Sequence, residues 1–178
     1  MEKLKLMPIS AEYADAIWDY RQEFLDEEES IHGAFMLEES EKIEDWLAFL
    51  EEGKNAEKMK SAGFVVTTSY LLVRELDERV LGVVNLRHEL NENLRKIGGH
   101  IGYSVRKSER RKGYATRMVA MTLELARSLG LDRVLITCDK RNKASRKTIL
   151  SNGGVYVSEF VDLNNVNEIT EHYWVDLK

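Results

Sequence analysis

Arg106, Lys107, Arg110, Arg111 and Lys112 fall within seven positions, and Gly113-Tyr114-Ala115-Thr116 follows at once. The segment lies between a stretch that reads as a strand, ending at Val105, and the most regular helical pattern of the chain, which opens at Gly113. A helix start carries unpaired N–H groups and about half a positive charge, which suits a phosphate. Gly113 has no Cβ and Ala115 is nearly as small, so a ligand has close access to the backbone. These residue types in this order point to a di- or polyphosphate group. The plainer alternative is a solvated basic turn. Gly-x-x-x-x-Gly-Lys-Ser/Thr is absent, which excludes a P-loop, and Gly-x-Gly-x-x-Gly after a strand is absent, which removes the dinucleotide fingerprint. A second basic group, Arg141, Lys143, Arg146 and Lys147, surrounds Asn142 and Ser145.

The elements that must position this segment follow from periodicity. Leu4 and Leu6 alternate with charged residues up to Pro8, a short first strand. Ser10 is placed to cap a helix with Tyr13, Ile17, Tyr20 and Phe24 at helical spacing. Residues 38–52 form a second helix with Ile43, Trp46, Leu47 and Leu50 on one face. Residues 53–68 read as a loop. Strands are expected over 70–74, 80–86 and 99–105, joined by turns at Asp77-Glu78 and Asn91–Arg95. A long helix covers 113–129 and stops at Gly130. A buried strand covers 133–138, Asn142 caps a further helix, and two closing strands cover 155–161 and 169–175. The expected fold is α/β: one mixed, mostly antiparallel sheet flanked by helices, in one domain over 1–178.

Composition bounds the class. With 178 residues, 43% hydrophobic and 32% charged, the chain suits a folded globular domain. No apolar run approaches the roughly 18 residues of a membrane span, and residues 1–8 lack a secretory signal. Cys138 is the single cysteine, so an intrachain disulfide is impossible, and the expected compartment is the reducing cytoplasm. A net charge of −5 opposes general nucleic-acid binding, and Tyr114 is the one aromatic amid the basic cluster. No nucleic-acid or membrane partner is expected.

Arg110-Arg111-Lys112-Gly113-Tyr114-Ala115 resembles the Gln/Arg-x-x-Gly-x-Gly/Ala signature of the GNAT superfamily of N-acetyltransferases. The order strand, signature, long helix, strand, Asn142 and helix resembles that family over residues 98–154. The resemblance implies that acetyl-CoA is the acetyl donor. It implies that Arg110, Arg111, Lys112, Gly113, Tyr114, Ala115 and Thr116 cradle its pyrophosphate, and that Ser104 and Val105 border its pantetheine arm. Asn142 and Ser145 match an Asn-x-x-Ser that touches the cofactor in the family. Helix capping by Asn142 is compatible with that role.

Acetyl transfer to an amine needs a deprotonated amine, a stabilised thioester oxygen and a proton for the departing sulfur. Family members often carry a tyrosine for the last task seven residues after the asparagine, and that position here is Ile149. His100, Glu89 and Tyr103 are the substitute catalytic candidates. Alternation puts His100, Gly102 and Ser104 on one strand face and Tyr103 and Val105 on the other. His88, Glu89 and His100 have no metal-ligand spacing, so no metal is expected. A covalent route through Cys138 is conceivable, and Asp26-Glu27-Glu28-Glu29 is a candidate attractor for a cationic amine. The implied acceptor is a small-molecule, amino-acid or peptide amine, and the protein a monomer or homodimer. A catalytically inactive acyl-CoA-binding domain is the alternative.

Overall fold

The computed structural model describes residues 2–163 and 165–178. The chain begins with β1 (Leu4–Pro8), α1 (Ala14–Leu25), α2 (Ile43–Glu52) and α3 (Ala56–Ser61). Then come β2 (Thr67–Arg74), β3 (Arg79–Arg87), α4 (Glu92–Lys96), β4 (Ile101–Val105) and α5 (Tyr114–Ser128). It closes with β5 (Arg133–Asp139), α6 (Lys143–Ser151), β6 (Val155–Asp162) and β7 (Asn165–Asp176).

The α/β architecture with antiparallel strands and flanking helices is the expected one. Where one sheet was expected, however, the strands fall into two: β1-β2-β3-β4 and β5-β7-β6. Alternation along β3, shifted by one residue at a bulge opposite Leu72 and Val73, sorts the core into two layers. Val80 and Val83 pack with Ile17, Tyr20 and Phe24 of α1 and Trp46 of α2. Val84 and Leu86 pack with Met118, Val119 and Leu123 of α5. Tyr173 and Val175 of β7 and Ile149 of α6 join this second layer, so the two sheets share a core although their ladders are separate.

The separation has a local cause. The His100 N–H donates to the Leu135 carbonyl at 2.7 Å. The next donor on β5, the Leu135 N–H, goes to the His100 ring at Nδ1, 2.9 Å, instead of to backbone. Gly99 permits this crossing: its φ is +59° and a Cβ there would lie 2.5 Å from the Leu135 oxygen. Beyond His100, no backbone hydrogen bond joins β4 to β5 among the described residues.

Several boundaries differ from the sequence expectation. The loop at 53–68 contains α3, started by the Asn55 side chain accepting from the Lys58 N–H. The Asn91 turn is a helical turn with the same kind of cap, to the Leu94 N–H. Helix α2 starts at Ile43, because residues 31–40 run as turns over the sheet. Ser10 caps nothing, since a short 3-10 turn over Ala11–Tyr13 precedes α1.

Candidate active site

The split between β4 and β5 opens towards the N-termini of α5 and α6. Arg87 N–H to His100 O at one end and Arg106 N–H to Leu81 O at the other bracket the β3–β4 ladder. By antiparallel alternation, Gly102 and Ser104 spend their backbone groups on β3, and Tyr103 and Val105 turn theirs into the split. A strand edge with free N–H and C=O groups is what an extended ligand pairs with.

The mouth of the split carries the glycine-containing loop. Arg111 and Gly113 both adopt the left-handed conformation, with φ of +68° and +82°. Successive N–H groups then converge instead of alternating, which makes an anion-binding concavity. The first intrahelical bond of α5 is from the Arg117 N–H to Gly113 O. The N–H groups of residues 111–116 have no backbone or side-chain acceptor among the described residues. A Cβ placed on Gly113 would meet nothing within 4 Å, so space lies open above these donors. Arg111, Lys112 and Gly113 are exposed and Tyr114, Ala115 and Thr116 buried or half-buried, so a ligand or water is left to satisfy these donors. The loop therefore fits a pyrophosphate.

The side chains of the cluster divide differently from their sequence neighbours. Arg106 is buried: Nε donates to Glu23 at 2.8 Å, a terminal nitrogen to Asp19 at 2.6 Å, and another to Val80 O at 3.1 Å. Lys107 pairs with Glu27 and Arg110 with Glu29. Two of the four acids at 26–29, Glu27 and Glu29, thus answer the basic loop across the molecule, while Asp26 accepts from Gln22. Arg110 also donates to Val105 O at 3.0 Å, tying the loop to the last residue of β4. Lys112 bonds Glu109 at 2.7 Å. The Tyr114 ring is in the core and its hydroxyl donates to Glu2 at 2.5 Å, so only its backbone faces the concavity. Arg111 is exposed and has no hydrogen-bonded acceptor among the described residues.

On the far wall, the Asn142 side chain accepts the Ser145 N–H at 3.0 Å and starts α6, the expected cap. Ser145 Oγ and the Tyr103 hydroxyl lie 2.9 Å apart, a bond spanning the split. Burial pushes the Tyr103 phenol up to about 12, so it stays protonated. Ser104, by contrast, faces the other side: its hydroxyl donates to His32 O at 2.6 Å and lies 2.9 Å from the Tyr20 hydroxyl. Its side chain is committed to the loop over β4. Cys138 is buried, and burial raises its thiol to about 11, which leaves little thiolate for a covalent route. Ile149 is fully buried in the core.

His100 and Glu89 are elsewhere. Both line a cavity of about 340 Å³ at the closed end of the split, with His88, Arg95, Arg133 and Trp174. His100 Nδ1 is occupied by the Leu135 N–H, so the neutral ring carries its proton on Nε2. Burial, with smaller contributions from Arg95 and Arg87, lowers its pKa to about 4. The structure does not bring His100 or Glu89 together with Tyr103, Ser145 and the loop. Among the described residues no group of three or more His, Cys, Asp or Glu is placed to hold a metal ion.

An antiparallel α/β fold, split along one strand edge with an anion cradle at the mouth, has the shape and donors that fit a pyrophosphate-bearing molecule. The chain belongs to the acetyltransferase (GNAT) domain family, whose sequence profile matches residues 3–155, and it is an N-acetyltransferase with acetyl-CoA as donor. A ribosomal-protein-S5-alanine acetyltransferase from Vibrio fischeri superposes with a TM-score of 0.74 at 18% identity, over 100% of this chain and 95% of that one. The microcin C7 self-immunity acetyltransferase, solved with acetyl-CoA and AMP, gives 0.69 at 18% identity over 99% and 93%. The spermidine N-acetyltransferase from Vibrio cholerae, solved with CoA and spermine, gives 0.67 at 14% identity over 98% and 95%. At these identities the likeness is one of fold. A search of curated protein sequences returns no match.

Proposed function

We propose that residues 1–178 act as one cytoplasmic domain that transfers acetyl directly from acetyl-CoA to the amine of a small molecule, amino acid or peptide. The observation that carries this reading is the run of free N–H groups at 111–116 at the mouth of a strand edge that is itself unpaired. The cytoplasmic assignment rests on the unpaired Cys138, and no helix of the described residues is long and apolar enough to cross a membrane.

Acetyl-CoA supplies an activated acetyl thioester. The loop N–H groups of residues 111–116 hold its pyrophosphate, with Arg111 as the free cation beside them. Tyr103 and the N–H of Val105 face the pantetheine arm, the Val105 carbonyl being held by Arg110. In the transfer, the amine nitrogen bonds to the acetyl carbon, the carbon–sulfur bond breaks, the amine loses one proton and the sulfur gains one. The hydroxyl pair of Tyr103 and Ser145 is the proton source for the sulfur. It takes the task that Ile149 cannot perform, and its position across the split, 2.9 Å between oxygens, supports the assignment. Ser145 passes its proton outward and is resupplied by Tyr103, which its raised pKa keeps protonated.

Ser145→Ala and Tyr103→Phe are expected to lower kcat by about 100- to 10,000-fold, the range of a lost general acid, with the KM for acetyl-CoA changed far less. Thiol release at several amine concentrations measures both. Unchanged kcat in both variants would remove the pair from the chemistry. An acyl-CoA-binding domain without catalysis predicts acetyl-CoA binding and no thiol release with any amine.

A further inference from the structure

The arginines of this fold are nearly all satisfied. Arg74, Arg79, Arg106, Arg110, Arg127, Arg141 and Arg146 each pair with a carboxylate. Arg21 and Arg117 donate to backbone carbonyls. Arg95, Arg111 and Arg133 lack a hydrogen-bonded acceptor for their guanidinium groups among the described residues. Arg111 is at the pyrophosphate loop. Arg95 and Arg133 both line the cavity at the closed end of the split.

The surroundings of that cavity are cationic and aromatic. Arg133 lies over the Trp174 ring at 4.3 Å, an arrangement that fixes the guanidinium plane and leaves its edge free to donate. Arg87, half-buried, donates to Gly98 O and Gly99 O, both at 3.0 Å, and has no carboxylate partner among the described residues. The His100 ring is 6.1 Å from the Trp174 ring and holds its Nε2 proton as a further donor. Glu89 is the one acid among the lining residues, exposed, and outnumbered by the two guanidiniums of Arg95 and Arg133. A strap formed by α4 and residues 97–99 holds these groups in place: Lys96 O bonds His172 Nε2 at 2.7 Å and the Gly98 N–H donates to Thr137 Oγ1 at 3.1 Å.

We propose that this cavity binds an oxyanion carried by the acceptor, a carboxylate or a phosphate, held by Arg95 and Arg133 against the Trp174 ring. The inference rests on the acetyltransferase reading and sharpens its substrate class: amines that also carry negative charge, in preference to polyamines. Two features fit an acceptor that spans the two places. His100 and Trp174 alternate with Ile101 and Tyr173, which face the α5 layer, so the cavity opens on the opposite side from the cofactor wall. His100 lies three strand residues from Tyr103, about 10 Å, which is the reach of a short peptide from its N-terminal amine to an acidic side chain.

The test uses three tetrapeptides with the same N-terminal alanine amine, ending in two aspartates, two phosphoserines or two lysines. Affinity for the CoA-loaded protein is measured by calorimetry, and turnover by thiol release. The acidic peptides are expected to bind at least 10-fold tighter than the lysine peptide, and the tighter of the two names the oxyanion. In the double variant Arg95→Gln/Arg133→Gln, two exposed positions, the preference is expected to shrink to within about twofold while acetyl-CoA affinity is kept. Equal binding of all three peptides, tighter binding of the lysine peptide, or a preference that survives in the double variant would overturn the proposal. Thiol release with any of the peptides keeps the acetyltransferase reading standing whatever the order of affinities, so the two readings fail separately.

Discussion

His100 is defined by two bonds along one strand edge: its N–H reaches Leu135 O, and its ring accepts the Leu135 N–H. Protonating Nδ1 would break the second bond and place a cation beside Arg95 and Arg87. Burial holds the folded-state pKa near 4, below the unfolded value near 6.5. The unfolded chain therefore binds the extra proton. Stability from this group is complete above about pH 6.5 and is lost as pH falls towards 4. Urea denaturation at pH 7 and pH 5 is expected to show a steeper loss in the wild type than in His100→Gln. His88, whose pKa burial also lowers, contributes in both proteins and cancels in the difference. Equal losses would mean that His100 titrates as it does in the unfolded chain. The sequence could nominate His100 by its place on a strand before a phosphate loop. It could not show that the ring closes the split, because Leu135 lies 35 positions away.

At the scale of elements, the loop between α1 and α2 is what the sequence concealed most. It carries no periodicity, yet Gly33 sits against Gly102 of β4, where a Cβ on Gly102 would lie 3.4 Å from Gly33 N and Cα. A Cβ on Gly33 would fall 2.3 Å from Gly102 O, at a φ of +84°. Gly33→Ala combines a left-handed alanine with a backbone clash, and is expected to cost about 2–5 kcal/mol, read by chemical denaturation. A cost below about 1 kcal/mol would mean that the loop rides loosely on β4. The long elements were readable for the opposite reason. Met118, Thr122, Leu125 and Ala126 repeat at helical spacing over 15 residues, and Gly130 ends the helix with φ +82°, as its sequence position implies. Short capped turns such as α3 and α4, with five or six residues each, offer no such repeat. The basic cluster misled in part, because which of its cations are spent depends on Glu23, Glu27 and Glu29, 80 or more positions upstream.

Across the whole molecule, charge is sorted by pairing. A chain of net charge −5 keeps a few cations free, and the free arginines flank the two ends of one split. The backbone of 111–116 supplies donors at one end, and the cavity beside Trp174 supplies guanidiniums at the other. The account stands on the first of these. Gly113 is the position where binding and folding separate. Its left-handed φ makes a side chain there cost about 1–2 kcal/mol, yet a Cβ meets no protein atom within 4 Å. That space is open to a ligand. Titration calorimetry of acetyl-CoA into wild-type and Gly113→Ala protein, with melting temperatures recorded alongside, tests this directly. The account predicts one site per chain in the wild type, and in the variant a melting point only a few degrees lower with affinity weakened at least 10-fold. Absence of binding to the wild type, or equal affinity in a folded variant, would contradict it.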